Sequence, residues 1–227
     1  MYIGSVKKMI KAVLFDLDGT LVNSLADLAA SANYALSVMG YPTHETEKYK
    51  YFVGDGMPKL IERVLPESER TAEIHKKCLD IFMAHYSEHY VDKTYVYDGI
   101  KDLLDTLKKK GLKLAVISNK SQEPAVTVVN KLFGGGVFDI VCGKQEGYPA
   151  KPDPALTLKV INDLGVNTNE SVLIGDSGMD AAAAVNAGCV GIGVLWGFRT
   201  EKELRDNGDK YIVDTPEKIL EVLEELQ

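Results

Sequence analysis

Six short apolar runs recur along the chain, at residues 10–15, 112–117, 138–141, 171–174, 190–194 and 211–213, and each reads as a buried strand. Amphipathic patterns fill the intervals. The segment 98–110 carries Lys108, Lys109 and Lys110 in its last turn and stops at Gly111, the charge sign and the residue that a helix C-terminus favours. The segment 154–164 starts behind Asp153, an N-cap residue type, and stops before Gly165. A strand, helix, strand rhythm of this kind predicts a mostly parallel sheet with helices on both faces, an α/β fold.

One interval breaks the rhythm. Nearly a hundred residues separate the first apolar run from the second, whereas a βαβ crossover needs only about a dozen or more. The stretch from Leu25 to His89 has helical stripes: Leu25, Leu28, Ala32, Ala35, Leu36 and Met39 form one, and Ile74, Cys78, Ile81, Phe82 and His85 another. The predicted organisation is a Rossmann-like core of residues 1–22 and 95–227 with a second, smaller helical domain inserted over 23–94. No internal repeat or low-complexity tract interrupts it, and Gly134-Gly135-Gly136 reads as a helix stop and turn.

Composition excludes several classes of partner. The chain of 227 residues has 26 Lys and Arg against 33 Asp and Glu, a net charge of −7, so no basic surface is available for nucleic acid or an anionic membrane. The three cysteines, Cys78, Cys142 and Cys189, have neither disulfide-frame nor zinc-site spacing, which fits a reducing cytoplasm. Neither a membrane span nor the apolar core of an export signal is present, and Met9 is an alternative start to Met1.

The chemistry concentrates just beyond the strands. In Phe15-Asp16-Leu17-Asp18-Gly19-Thr20-Leu21 two carboxylates two residues apart project to one side of an extended segment. Ligands of open parallel sheets bind beyond the carboxyl ends of the strands. The second run delivers Ser118-Asn119-Lys120 there, and the fourth delivers Gly175-Asp176-Ser177-Gly178-Met179-Asp180. Between them Ala150-Lys151-Pro152-Asp153-Pro154 holds one lysine in a stiff loop. Four carboxylates, Asp16, Asp18, Asp176 and Asp180, converging with one lysine need a cation, and an all-oxygen set suits Mg²⁺ together with a substrate phosphate. The spacing of a calcium loop is missing.

Other catalytic constellations fail. All four histidines, His44, His75, His85 and His89, lie in the insert, so the core alone cannot form a Ser-His-Asp triad. His85 and His89 are four apart, but without H-E-x-x-H they read as a partly buried helix face. No P-loop occurs, and Gly191, Gly193 and Gly197 miss the dinucleotide spacing.

Taken in order, Asp16-Leu17-Asp18-Gly19-Thr20, Ser118, Lys151 and Gly175-Asp176-Ser177-x-x-Asp180 resemble the four motifs of the haloacid dehalogenase superfamily over the whole chain. The resemblance implies a Rossmann-like sheet with a helical cap after the first strand. It also implies that Asp16 is the nucleophile, forming an aspartyl phosphate, and that Asp18 is the general acid and base. Crowding by like charges is expected to keep Asp18 protonated at the start. Mg²⁺ would be held by Asp16, the backbone carbonyl of Asp18 and Asp176, with Asp180 acting through water or an outer-sphere bond. Ser118 and backbone N–H groups near Gly19 and Asn119 would hold the transferring oxygens, and Lys151 would offset their charge.

Within the superfamily the segment Val53-Gly54-Asp55-Gly56-Met57-Pro58-Lys59-Leu60-Ile61-Glu62-Arg63-Val64-Leu65 looks like the cap loop and helix of phosphoglycolate phosphatases and similar pyrophosphatases. It lacks the loop arginine typical of β-phosphoglucomutases, and Asp18 supplies the second acid that dehalogenases lack. The implied substrate is a small phosphorylated metabolite, phosphoglycolate first, seated by Gly54, Gly56, Lys59 and Arg63. Pyrophosphatase or mutase action and a non-catalytic phosphate-binding role are the alternatives, and a monomer or weak dimer is expected.

Overall fold

The computed structural model describes residues 9–227. Six strands form one parallel sheet: β1 (Ala12–Phe15), β4 (Lys113–Ser121), β5 (Ile140–Lys144), β6 (Ser171–Gly175), β7 (Val190–Val194) and β8 (Tyr211–Val213), in the order β5-β4-β1-β6-β7-β8. The numbering leaves room for β2 (Val22–Asn23) and β3 (Tyr95–Val96), a short antiparallel ribbon outside the sheet. Every side chain of β1 and of β6 is buried, as a doubly covered parallel sheet requires.

Alternation along the strands divides the core into two layers. Val13, Phe15, Val116, Val172 and Ile174 face one side, where α5 (Ile100–Lys109), α6 (Gln122–Phe133) and α10 (Glu217–Glu225) supply Leu103, Leu107, Val128 and Leu223. Ala12, Leu14, Ala115, Ile117 and Leu173 face the other, under α7 (Ala155–Asp163) and α8 (Gly178–Ala187). A further short helix, α9 (Glu201–Asp206), precedes β8.

Four helices occupy the long interval: α1 (Leu25–Val38), α2 (Tyr49–Phe52), α3 (Met57–Val64) and α4 (Ala72–Glu88). In the first stripe Leu25, Leu28, Ala32, Ala35 and Leu36 are buried; in the second Cys78 and Phe82 are, with Tyr86 one turn further on. The chain leaves the core through β2 and returns through β3, which pair with each other in that ribbon. Behind it the buried Asp27 carboxylate accepts hydrogen bonds from the Lys93 N–H, the Thr94 N–H and the Thr94 hydroxyl, tying the returning chain to α1. Charge-assisted bonds of this kind are about twice as strong as neutral ones.

Boundaries differ from expectation at one informative place. The strand expected to stop at residue 117 continues to Ser121, because Ser121 pairs with Lys144 after a register shift that begins beyond Ile117. Ser118, Asn119 and Lys120 therefore sit in an irregular stretch of β4 rather than in a loop behind it. Such irregularities re-aim side chains at sheet ends.

Candidate active site

β1 lies between β4 and β6, with Phe15 opposite Val116 on one side and Ile174 on the other. Neighbouring strands are about 4.8 Å apart, so the residues that follow converge: Asp16 after β1, Ser118 within β4 and Asp176 after β6. The Asp16 N–H donates to the Ile174 carbonyl at 2.8 Å, extending the sheet pairing one residue beyond β1.

A tight turn follows. The Leu21 and Val22 N–H groups both donate to the Leu17 carbonyl at 3.0 Å. Gly19 makes the turn with φ +96°, and a Cβ there would stand 2.3 Å from Asp176 Oδ2, so backbone conformation and space both demand glycine. Asp176 accepts from the Phe198 N–H at 2.7 Å and the Thr20 hydroxyl at 3.3 Å.

Asp16, Asp176 and Asp180 each offer a carboxylate oxygen within 4.8 Å of the others, and all three are buried. Lys151 enters from its loop and donates to Asp16 Oδ1 at 2.7 Å, to Asp180 Oδ1 at 2.5 Å and to the Ile117 carbonyl at 2.8 Å, so all three ammonium protons have acceptors. Burial alone would lower the Lys151 pKa, but Asp16 and Asp180 outweigh it and hold the group above its ordinary value. Three carboxylates against one ammonium leave the cluster anionic. Burial pushes Asp16 well above the usual carboxylate range, opposed by Lys151 and reinforced by Asp180 and Asp176. Asp176 is pushed up to about 7 by burial and by Asp180. An all-oxygen, buried and under-neutralised set fits a hard divalent cation.

Asp180 is held from both sides. Its Oδ2 accepts from the Ser177 N–H and hydroxyl at 3.2 and 2.6 Å in a capping box that starts α8, while Oδ1 faces Lys151. Asn119 joins core and insert: its side-chain amide donates to the carbonyls of Gly54 and Lys151 and accepts from the Lys151 N–H. Ser118 is buried and lines the same cavity as Asp16.

Asp18 stands apart from the carboxylate cluster. Both its oxygens accept from Lys120 Nζ at 3.0 Å, and Lys120 also donates to the Tyr86 hydroxyl at 2.8 Å. The charged neighbour of Asp18 is therefore an ammonium group, not the crowd of carboxylates anticipated for it. Lys120 and Tyr86 had no role assigned from sequence. A lysine at an interior strand position, two residues from Ser118 and on its side, was the available signal, since lysine is almost never fully buried unless paired.

The insert forms the roof. Gly54, Gly56, Met57 and Leu60 line the cavity opposite Asp16, together with Leu28, Val53 and Phe198. Gly56 precedes α3 with φ +86° and no side-chain cap, leaving first-turn N–H groups of α3 without an intrahelical acceptor. Lys59 and Arg63 do not line this cavity. Lys59 pairs with Glu62 at 2.8 Å on the exposed side, and Arg63 pairs with Asp55 and the Phe52 carbonyl. Met57, Leu60, Ile61 and Val64 take the buried face of α3, and helical periodicity turns positions 59, 62 and 63 away from it. An arginine does reach the roof, but from the core: Arg199 donates to the carbonyls of Lys50 and Val53 and sits 3.5 Å from Glu203. Its contacts span 149 and 146 residues, and no local pattern announces them.

A buried aspartate-lysine-aspartate site at the carboxyl edge of a parallel sheet, roofed by an inserted helical unit, is the setting of an α/β enzyme that handles an anionic ligand. The family model for haloacid dehalogenase-like hydrolases matches residues 13–194, and the chain belongs to that family. It is 38% identical over 195 residues to a phosphoglycolate phosphatase of Chromobacterium violaceum, covering 84% of this chain and 87% of that one. To a phosphoglycolate phosphatase of Colwellia psychrerythraea it is 33% identical over 218 residues, covering 92% and 95%. A crystal structure from Lactobacillus delbrueckii subsp. bulgaricus, provisionally assigned as a phosphoglycolate phosphatase, superposes with a TM-score of 0.89 at 34% identity, covering 95% of this chain and 98% of that one. The chain is a phosphatase of this family. Among the described residues no helix is long and apolar enough to cross a membrane.

Proposed function

We propose that this enzyme hydrolyses small phosphomonoesters bearing a carboxylate, phosphoglycolate first, through an aspartyl phosphate on Asp16, with Mg²⁺ as cofactor. The observation that carries the reading is Asp16 itself: buried, 2.7 Å from Lys151 Nζ and clustered with Asp176 and Asp180 under a roof that offers helix N–H groups. Asp16, Asp176 and the Asp18 carbonyl would hold the cation, with Asp180 restraining Lys151. When bound, the cation supplies the positive charge that lets an anionic phosphoryl group approach a carboxylate.

In this reading an Asp16 oxygen attacks phosphorus in line while the ester P–O bond breaks. The electron pair of that bond goes to the leaving alkoxide, which takes a proton that Asp18 carries in place of one of its two Lys120 contacts. Water then attacks the phosphoryl group, Asp18 accepts its proton, and inorganic phosphate leaves with Asp16 regenerated. Ser118 and the backbone N–H groups near Gly19 and Asn119 hold the transferring oxygens, and Lys151 balances charge on them and on Asp16.

The first turn of α3 is a suitable seat for a carboxylate, because uncapped N–H groups and the helix dipole both favour an anion. With Lys59 and Arg63 turned away and the Arg199 guanidinium committed to backbone carbonyls, Gly54 and Gly56 carry more of that role than sequence suggested. Neither end of the cavity holds a free arginine for a second phosphate, which disfavours mutase chemistry. The three free thiols suit a cytoplasmic enzyme, which we place there as a monomer or weak dimer. Comparing kcat/KM over phosphoglycolate, pyrophosphate and glucose phosphates tests the substrate reading. Phosphoglycolate should rank first; a higher value for a glucose phosphate would remove the roof assignment.

A further inference from the structure

We propose that Tyr86, a residue of the helical insert, positions Asp18 through the buried ammonium of Lys120, so that the acid is directed into the cavity by the seated insert. The inference rests on the reading of Asp18 as acid and base. Three elements meet at one nitrogen: Asp18 from the loop after β1, Lys120 from β4 and Tyr86 from α4. Lys120 is 3% exposed, and its three protons have three acceptors, the two oxygens of Asp18 at 3.0 Å and the Tyr86 oxygen at 2.8 Å.

The tyrosine is the fixed point of this arrangement. It is fully buried, stacked on Phe82 with ring centroids 5.3 Å apart and edge-on to Tyr90 at 5.0 Å, so its hydroxyl moves only with α4. Burial pushes its pKa up to about 12, partly offset by Lys120, so it stays a neutral phenol. A lysine stem has four rotatable bonds and no orientation of its own. Removing the Tyr86 oxygen leaves one buried N–H without an acceptor, which is unfavourable, and frees the ammonium to turn toward the cavity. Asp18 loses its directed partner when that happens.

Tyr86→Phe deletes one oxygen and keeps the ring, which makes it the sharpest test. The readout is kcat/KM, which reports steps up to departure of the leaving group, on phosphoglycolate and on 4-nitrophenyl phosphate, whose leaving group needs little proton assistance. A full acid is worth about 10² to 10⁴-fold; mispositioning should remove roughly 10- to 30-fold on phosphoglycolate and less than about threefold on the aryl ester. Inhibition by inorganic phosphate should change by less than about twofold, because the phosphate end of the site is untouched. Equal losses on both substrates, or none on either, overturn the inference. Asp18→Asn is the reference: it should show the same substrate dependence more strongly. If it shows none, the acid assignment falls; if it does and Tyr86→Phe does not, only the positioning role falls. Should Tyr86→Phe not fold, Tyr86→Met, which also removes the oxygen and keeps an apolar side chain, carries the same expectation and the same overturning results.

Discussion

Asp16 and Asp18 are two residues apart and occupy different environments. Asp16 belongs wholly to the sheet edge: its neighbours are Lys151 and Asp176 from core loops and Asp180 from the first turn of α8, and its burial is set by strands on either side. Asp18, one turn further, has its side chain 19% exposed and is paired with Lys120, which in turn touches the insert through Tyr86. Two lysines thus divide two aspartates. One lysine sits in a carboxylate cluster with the ligands to hold a cation, and the other sits in a polar bridge between core and insert. Identical side chains at neighbouring positions acquire separate duties from what surrounds them.

The first way to break this comparison is to replace each aspartate. Asp16→Asn keeps the shape and removes the attacking oxygen, so kcat should fall by at least about a thousandfold, or ~4 kcal/mol, on every substrate. In kcat/KM, which reports steps up to departure of the leaving group, Asp18→Asn should lose comparably on alkyl phosphates and far less on pyrophosphate or aryl esters, whose leaving groups are better. Steady-state assays on three substrates separate the two patterns; a uniform loss in both variants would erase the distinction.

Chelation comes next. Treatment with EDTA should abolish turnover, with Mg²⁺ restoring it and Ca²⁺ inhibiting, because longer and looser coordination misplaces the nucleophile. Full activity in EDTA would remove the cation from the account of the Asp16 half. Lys151→Ala should lower kcat by about a hundredfold measured on the fraction that is folded; a drop in Tm with normal kcat would make Lys151 a structural residue instead.

Arg199 sharpens the other half. It donates to two carbonyls of the insert, so Arg199→Ala should loosen the roof, raising KM about tenfold while kcat stays within about threefold. Lysine should not rescue it, because one ammonium does not reproduce a planar fork across two carbonyls. An unchanged KM would show that the roof is held without Arg199, by contacts such as those of Asn119 with Gly54 and of Lys120 with Tyr86.

The smallest effect is on stability. Burial, with Asp180 adding to it, pushes Asp209 up to about 7, and its Oδ1 has no hydrogen-bond partner among the described residues. The sign follows from proton counts. Between about pH 4 and 7 the native state keeps a proton that the unfolded chain has lost, so stability falls as pH rises through that window. Asp209→Asn should therefore raise Tm at pH 7.5 by a few degrees, about 2–4 °C per kcal/mol, and flatten the slope between pH 5 and 7. A lower Tm for the variant at pH 7.5 would mean that the carboxylate has a partner it needs.

Much of this molecule is written locally. The parallel core was legible because strands buried on both faces are continuous apolar runs, and Asp16, Ser118 and Asp176 stood out because each comes at the end of such a run, whereas Lys151 and Asp180 were singled out only by the ordered set of motifs that the chain resembles. Gly134 ends α6 as its position implied. What escaped is non-local. Lys120, Tyr86 and Arg199 acquire meaning only across separations of 34 to 149 residues, after the insert has folded onto the core. The extension of β4 to Ser121 depends on a pairing with β5 that a single strand cannot announce. Lys59 and Arg63 misled for the opposite reason: they stand next to the roof glycines in sequence, and the helical period of α3 turns them outward.

The division of labour between the two aspartates is tested most directly by trapping the phosphoryl group. Wild type, Asp16→Asn and Asp18→Asn are each mixed with a radiolabelled aryl phosphate and Mg²⁺, quenched in acid within one turnover, and digested so that the labelled peptide is identified. The account predicts label on the peptide containing Asp16 in Asp18→Asn, where hydrolysis lacks its base and the intermediate accumulates, and none in Asp16→Asn. Label on any other residue, or persisting in Asp16→Asn, would contradict it.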